Sequence, residues 1–146
     1  MPDSRELSYS ECEALLRAGV TGRVALSTPT GPQIIPINYS VVDSAIILRT
    51  SAYTVLATYG RGATLAFEAD HFDHANQRGW SVVARGRGEM VQDPAEISHI
   101  RSVWEPRPWA SGVRSLFLRI GWTELTGRQL GAGWQPMQDL PNRRVV

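Results

Sequence analysis

Extended runs joined by short turns fill most of this chain, and helical segments do not alternate with them regularly. The first three runs, "GRVALST", "PQIIPINYSVV" and "AIILRT", are separated only by the turn-like clusters "PTGP" and "VDS". A doubly wound parallel sheet would instead alternate strands with helices. The count of about six strands and three helices therefore predicts a mainly β fold, a six-stranded antiparallel β-barrel with short flanking helices.

The turns predict which strands are neighbours. The first two runs form a hairpin over residues 28–32, and the third returns after Asp43. Pro36 within "IIPIN" predicts a sheet edge, a bulge or a bend. Later strands are expected at "ATLAFEAD" and "GWSVVARGRGEMVQ", with the loop "HFDHANQRG" between them and a bend at Gly86 or Gly88. "RSLFLRIGWTELTGRQL" is either a final strand pair or one long bent strand.

Capping signals predict the helices. Residues 8–18 begin with the capping box of Ser8 and Glu11 and end at Gly19, with Cys12 on the apolar face. "YTVLATYG" can form about two turns, and "DPAEISHIRSVW" opens with Asp93 as its N-cap. Residues 131–146 are predicted to be an irregular tail anchored by Trp134. Residues 1–146 therefore form a single domain.

Composition excludes several classes of function. A net charge of +1 gives no basic surface for nucleic acid or an anionic membrane. No apolar run approaches the roughly 18 residues of a membrane span, and the polar N-terminus is unlike a signal peptide. A single cysteine, Cys12, suggests a reducing, cytoplasmic setting. All 15 cationic residues are arginine, so Schiff-base chemistry on a lysine is excluded.

No protein-borne catalytic set is convincing. The histidines and aspartates of "HFDH" are better explained as a solvated loop than as a metal site. Cys12 fits a small buried apolar residue better than a nucleophile. Glu68 and Asp70 alternate on one strand face, which fits solvent exposure about as well as an acid/base pair. If the chain is an enzyme, we therefore expect a bound cofactor to supply the chemistry.

Two junctions are candidates for contacts with such a cofactor. Arg49, Thr50 and Ser51 follow a buried strand and precede a helix, an arrangement that suits phosphate. The alternative is a simple strand end with Thr50 or Ser51 as the helix N-cap. Trp80 and Ser81 could offer an apolar wall and a hydroxyl, although a tryptophan there is more often a core residue.

Several motifs occur in a familiar order along residues 8–130. They are "PINY" (36–39), "LRTS" (48–51), "AFEAD" (66–70), "GWSVVARGRGE" (79–89), "PW" (108–109) and "LRIGWTELTGRQL" (118–130). Together they resemble the pyridoxamine 5'-phosphate oxidase-like family of FMN-binding split-barrel proteins. The resemblance is closest to its small bacterial branch of nitroimidazole-resistance-type proteins.

The resemblance implies a homodimeric split barrel that binds two FMN molecules between its subunits. The phosphate would lie on Arg49, Thr50 and Ser51, with Thr54 as a further candidate contact. Asn38 and Tyr39 would lie near the flavin, and Trp80 and Ser81 would meet its ribityl chain or ring. Trp109 is expected to reach the partner's cofactor. The implied function is an oxidoreductase acting on a small molecule through a non-covalently bound flavin.

One departure from the family pattern concerns the phosphate. Relatives often carry a lysine a few residues after the Arg-Thr pair, where this chain has Tyr53 and Thr54. The loss of such a charge-assisted contact is worth on the order of 1.5–3 kcal/mol, roughly tenfold to a hundredfold in affinity. Arg61 or an arginine of the partner could compensate. Two alternatives remain open, an F420-dependent reductase on the same fold and a non-catalytic flavin- or ligand-binding module.

Overall fold

The computed structural model describes residues 4–104 and 116–138, which contain seven strands, three α-helices and one short 3-10 helix. The strands are β1 (Ser4–Glu6), β2 (Thr21–Thr28), β3 (Gly31–Val42), β4 (Ala45–Thr50), β5 (Thr64–Asp73), β6 (Arg78–Val91) and β7 (Leu116–Leu130). The helices are α1 (Tyr9–Ala18), α2 (Val55–Tyr59) and α3 (Pro94–Trp104), and the 3-10 helix spans Pro136–Gln138.

Six strands close into one antiparallel barrel in the order β7-β4-β3-β2-β5-β6, because β7 pairs with β4 on one side and with β6 on the other. The predicted mainly β fold and the six-stranded barrel are confirmed. β1 lies outside the barrel and pairs with the far end of β7. Sequence patterns do not predict this strand, since "SRE" is an exposed polar triplet.

Two of the strand pairings in the barrel cover only part of the length of their strands. β3 pairs with β4 only from Tyr39 to Val42. Among the described strands, the half of β3 that carries Pro36 therefore pairs only with β2. This confirms the predicted sheet edge, where a proline is tolerated. Between β2 and β5 the ladder covers three positions and ends at the pair of Arg23 and Glu68.

The loop predicted over residues 71–79 is wrong in extent. His71, Phe72 and Asp73 belong to β5 and pair with Trp80, Gly79 and Arg78 of β6. The turn therefore covers only residues 74–77. The sequence did not predict these strand ends, because the exposed end of a hairpin shows no alternation of apolar and polar residues.

The position of the predicted bend, Gly86, lies beside a β-bulge. The register of β6 against β7 shifts between Arg85 and Gly86, and the extra residue is Thr123 of β7. A Cβ atom at position 86 would lie 2.2 Å from the carbonyl oxygen of Gly121, so only glycine allows β6 and β7 to approach this closely. β7 is one continuous strand rather than a strand pair.

Helix α1 closes one side of the barrel. Both hydrogen bonds of the predicted capping box of Ser8 and Glu11 are present. Its buried residues Cys12, Leu15 and Leu16 join the main core, which lies inside the barrel.

Helix α3 begins after Asp93, whose carboxylate accepts a hydrogen bond from the Ala95 N–H, as predicted. Residues of α3, β3, β4, β6 and β7 form a second core outside the barrel, made of Val42, Ala45, Ile47, Val91, Ile100 and Phe117.

Candidate functional site

The junction after β4 is a compact group of hydroxyls. The Thr50 and Thr54 hydroxyl oxygens are 2.7 Å apart, and the Thr54 hydroxyl donates to the Ser51 carbonyl oxygen at 3.1 Å. Thr54 is the N-cap of α2, since its hydroxyl oxygen accepts from the Ala57 N–H at 3.1 Å. The alternative cap at Thr50 or Ser51 is therefore wrong, and one hydroxyl of the predicted phosphate set serves the helix.

The remaining polar groups of the junction suit an anion. The Ser51 hydroxyl makes no side-chain hydrogen bond within the described ranges. Arg49 is half-buried, with its guanidinium 5.3 Å from the centre of the Phe117 ring. Its five donors allow it to add an anion to the partners it already has. No acidic residue occurs from position 44 to position 67, a stretch that carries Arg49 and Arg61. This donor set fits a phosphate group.

Asn38 and Tyr39, although adjacent, have different surroundings. The Asn38 amide donates to the Thr21 hydroxyl at 3.0 Å, on the outer face of the barrel. The Tyr39 side chain is fully buried, its hydroxyl donates to the Leu16 carbonyl oxygen at 2.6 Å, and its ring packs edge-on against Phe67. Since a bound molecule cannot reach this ring in the structure, only the backbone of Tyr39 is available for the predicted contact.

Trp80 and Ser81 are separated by the pleat of β6. Trp80 is 3% exposed and belongs to the barrel core, whereas Ser81 is half-buried on the outer groove beside Thr126 and Arg128. Successive side chains of a strand point to opposite faces, so these two cannot act as one wall and one hydroxyl on the same side. The Trp80 indole nitrogen is buried and has no hydrogen-bond partner among residues 4–104 and 116–138.

The predicted site residues therefore form two groups within one chain. Thr50, Ser51 and Thr54 lie together after the end of β4, and the guanidinium of the adjacent Arg49 lies against Phe117 of the second core. Asn38 lies on β3, the neighbouring strand. Ser81 lies on β6, which is three inter-strand spacings from β3 across β2 and β5, about 14 Å of barrel surface. Trp109 lies outside the described residues.

A charged cluster that the sequence did not reveal lies where the ladder between β2 and β5 ends. One guanidinium nitrogen of Arg23 is 3.0 Å from a Glu68 carboxylate oxygen and 3.1 Å from an Asp70 carboxylate oxygen. Burial and the neighbouring Asp70 raise the pKa of Glu68 to about 7, despite the opposing effect of Arg23. The cluster borders a cleft of about 260 Å³ whose lining includes Arg23, Asp70, His71 and Trp80. Arg23 and Glu68 are 45 positions apart, so only the strand register identifies the contact.

Other candidate sites receive no support from the geometry. Among residues 4–104 and 116–138 there is no group of three or more His, Cys, Asp or Glu side chains suited to a metal ion. Cys12 is fully buried, and burial raises the pKa of its thiol, which disfavours a thiolate nucleophile. Within the same ranges no helix is long and apolar enough to cross a membrane.

The chain is similar to proteins of known family and structure. The family model described as pyridoxamine 5'-phosphate oxidase matches residues 8–129. The uncharacterized protein Rv0080 of Mycobacterium tuberculosis is 33% identical over 132 residues, which cover 87% of this chain and 86% of that protein. These matches span almost the whole of the barrel.

Solved structures superpose on the same region. The FAD binding protein from Mycobacterium smegmatis is 29% identical, with a TM-score of 0.73 over 86% of this chain and 97% of that chain. A candidate 5-nitroimidazole antibiotic resistance protein from Bacteroides thetaiotaomicron has a TM-score of 0.68 over 89% of both chains. Its identity of 14% shows a shared fold alone.

Proposed function

This chain belongs to the pyridoxamine 5'-phosphate oxidase family, and we propose that it binds a flavin nucleotide non-covalently and uses it to oxidise or reduce a small molecule. The observation that carries the proposal is the junction at Arg49. Arg49, with a half-buried guanidinium, and Ser51, with a hydroxyl, are two positions apart at the end of β4, in a stretch without acidic residues. The similar protein from Mycobacterium smegmatis binds FAD, and FMN and FAD share the phosphate that this junction would hold.

The protein's own contribution would be binding and orientation. A bound flavin supplies hydride transfer at its N5 position, chemistry that no side chain can provide. Arg49 and Ser51 would hold the phosphate. Thr50 and Thr54 would support them, because their mutual hydrogen bond fixes the start of α2. We assign no general acid or base to the reaction.

The missing lysine predicts a weak phosphate contact. Arg61 is exposed just after α2 and is the cation nearest in sequence after Arg49 that could replace it. If it does not, affinity for the phosphate would be roughly tenfold to a hundredfold below that of a lysine-bearing relative.

We also propose that the chain is a homodimer with the flavin between its subunits. Arg49 is opposite Phe117 of β7, whereas Ser81 is opposite Arg128 near the other end of that strand. This separation supports the proposal, since a flavin held at Arg49 of one subunit could meet the outer groove at Ser81 of the other. Light scattering at several concentrations would test it. A strictly monomeric protein that still binds flavin would contradict the shared site.

The experiment for flavin binding compares two arginine variants. FMN and FAD would be titrated into the wild-type chain, Arg49→Ala and Arg85→Ala, with flavin fluorescence as the readout. Arg85 is an exposed arginine on β6, and its guanidinium lies 3.4 Å from a carboxylate oxygen of Glu124. It serves as the matched control. We expect Arg49→Ala to weaken both flavins roughly tenfold to a hundredfold and Arg85→Ala to leave them unchanged.

Other outcomes would support the alternatives. Binding of F420 in place of either flavin would support the deazaflavin reductase. Flavin binding without any turnover by reductants or oxidants would support a non-catalytic carrier. A colourless protein that binds neither flavin nor F420 would contradict the proposal, and equal losses in both arginine variants would contradict the assignment of the phosphate to Arg49.

A further inference from the structure

Tyr53 combines two features that the fold does not require. Its side chain is 98% exposed, and its backbone has φ of +68°, in the left-handed region. Residues with a Cβ atom rarely adopt this conformation, and a bulky aromatic residue there is an outlier. The turn between Ser51 and Thr54 would be less strained with glycine or asparagine.

No contact among the described residues explains a tyrosine at this position. Within the described residues its hydroxyl makes no hydrogen bond and its ring makes no ring contact. The other non-glycine residues with positive φ are Asp43 and Gln77, which are polar residues in hairpin turns. Aspartate is enriched in the left-handed region. Tyr53 is therefore the aromatic exception, and a strained residue with no structural contact is a reason to look for a ligand.

The position of Tyr53 indicates which ligand its ring would contact. It lies two residues after Ser51 and one before Thr54, so its backbone is within about 7 Å of both along the chain. Val55 and Tyr59 on α2 are also partly exposed, at 36% and 38%. An aromatic ring directly beyond a phosphate site offers a flat surface to the next part of a nucleotide.

We propose that Tyr53 stacks on the adenine ring of FAD, so that this chain prefers the dinucleotide FAD over FMN. The inference rests on the proposed flavin binding at Arg49 and adds to it the identity of the flavin. FMN ends at the phosphate, whereas FAD continues through a second phosphate and a ribose to adenine. Stacking of a base on an aromatic side chain is worth about 1–3 kcal/mol, which corresponds to roughly 5-fold to 150-fold in affinity.

The similarity to an FAD binding protein supports this choice. The structure from Mycobacterium smegmatis is 29% identical to this chain and superposes over 86% of it. The stretch without acidic residues, from position 44 to position 67, extends on both sides of Tyr53 and would tolerate the extra phosphate of FAD.

The test compares the affinities of FAD and FMN in matched variants. Tyr53→Ala removes the ring and Tyr53→Phe keeps it. Phe72→Ala removes a different exposed aromatic ring, 43% exposed at the far end of β5. We expect Tyr53→Ala to weaken FAD roughly 5-fold to 150-fold and to leave FMN within about twofold. Tyr53→Phe and Phe72→Ala should both keep the wild-type ratio.

A second probe examines the adenine contact without the flavin ring. ADP should compete with bound FAD, and Tyr53→Ala should weaken this competition by a similar factor. Sedimentation of the same variants shows whether the ring instead lies in a subunit contact. If Tyr53→Ala dissociates a dimer and weakens FAD and FMN equally, the ring belongs to the partner surface and the inference is wrong.

The failures of the two proposals are distinguishable. If the wild-type chain binds neither flavin, the proposed function fails and the preference for FAD fails with it. If the wild-type chain binds both and Tyr53→Ala changes neither, flavin binding stands and the role of Tyr53 is refuted. A loss confined to FAD supports both.

Discussion

Two local features bear on the chemistry of this chain: the charged cluster of Arg23, Glu68 and Asp70, and the left-handed backbone of Tyr53. The cluster of Arg23, Glu68 and Asp70 holds two carboxylates on one guanidinium, with hydrogen bonds of 3.0 and 3.1 Å. The sequence indicated that Glu68 and Asp70 share a strand face. It left open whether their carboxylates are exposed to solvent or form an acid/base pair. The structure shows them paired through Arg23, which required the register of β2 against β5.

The raised pKa of Glu68 predicts a pH dependence of stability. The pKa of Glu68 is about 7 in the folded chain, against an ordinary value of 4.5 for a glutamate. Between these pH values the folded state therefore holds a proton that the unfolded state has released. The free energy of unfolding from this group therefore falls as pH rises from about 4.5 to about 7. We expect Glu68→Gln to remove this fall, so that the variant gains stability relative to wild type between pH 5 and pH 8.

Thermal unfolding of both proteins at about pH 5 and about pH 8 measures this effect. Glu89→Gln, an exposed carboxylate on β6 that lies 3.4 Å from Arg119, is the control and should not change the slope. Identical pH dependence in wild type and Glu68→Gln would contradict the raised pKa.

The strain at Tyr53 predicts a second effect on stability. Asparagine tolerates positive φ better than tyrosine, so Tyr53→Asn should raise the free energy of unfolding by about 1 kcal/mol. Tyr59→Asn, at a helical position of α2, should not stabilise. Chemical denaturation of the three proteins tests this, and a destabilised Tyr53→Asn would show that the ring has a structural role.

Whole elements were predictable where the sequence carries a local signal. The capping box of α1, the Asp93 cap of α3 and the glycine beside the bulge between β6 and β7 each leave such a signal. The ends of β5 and β6 and the short β1 do not, since their polar partners, such as Arg78 for Asp73 and Gln129 for Arg5, are identified only once the strands are paired. The opposite faces of Trp80 and Ser81 follow from the strand pleat and could be predicted from the sequence alone.

The close approach of β6 and β7 beside the bulge gives a prediction about strand packing. A Cβ at Gly86 would lie 2.2 Å from the Gly121 carbonyl oxygen, whereas one at Gly121 would meet only the flexible Arg119 side chain at 3.4 Å. We expect Gly86→Ala to destabilise the chain by about 1–3 kcal/mol and Gly121→Ala to have a much smaller effect. Denaturant unfolding of both variants measures the difference. Equal stability would contradict the close approach of β6 and β7.

The whole molecule is a barrel whose family could be inferred from the order of its motifs, and the family match over residues 8–129 confirms that inference. The arrangement of the site could not be inferred in full. Arg49, Thr50, Ser51 and Thr54 are close in sequence and therefore close in space. Ser81 is separated from them along β7, since Arg49 is opposite Phe117 and Ser81 is opposite Arg128. The sequence alone does not show whether a second subunit brings them together.

The most direct test of the account is the affinity ratio of FMN to riboflavin in the wild-type chain and in Arg49→Ala. Riboflavin lacks the phosphate, so the ratio isolates the contact proposed at the end of β4. We predict that wild type favours FMN and that Arg49→Ala reduces this preference by roughly tenfold to a hundredfold without weakening riboflavin. An unchanged ratio in Arg49→Ala, or equal binding of the two ligands by wild type, would contradict a phosphate site at Arg49.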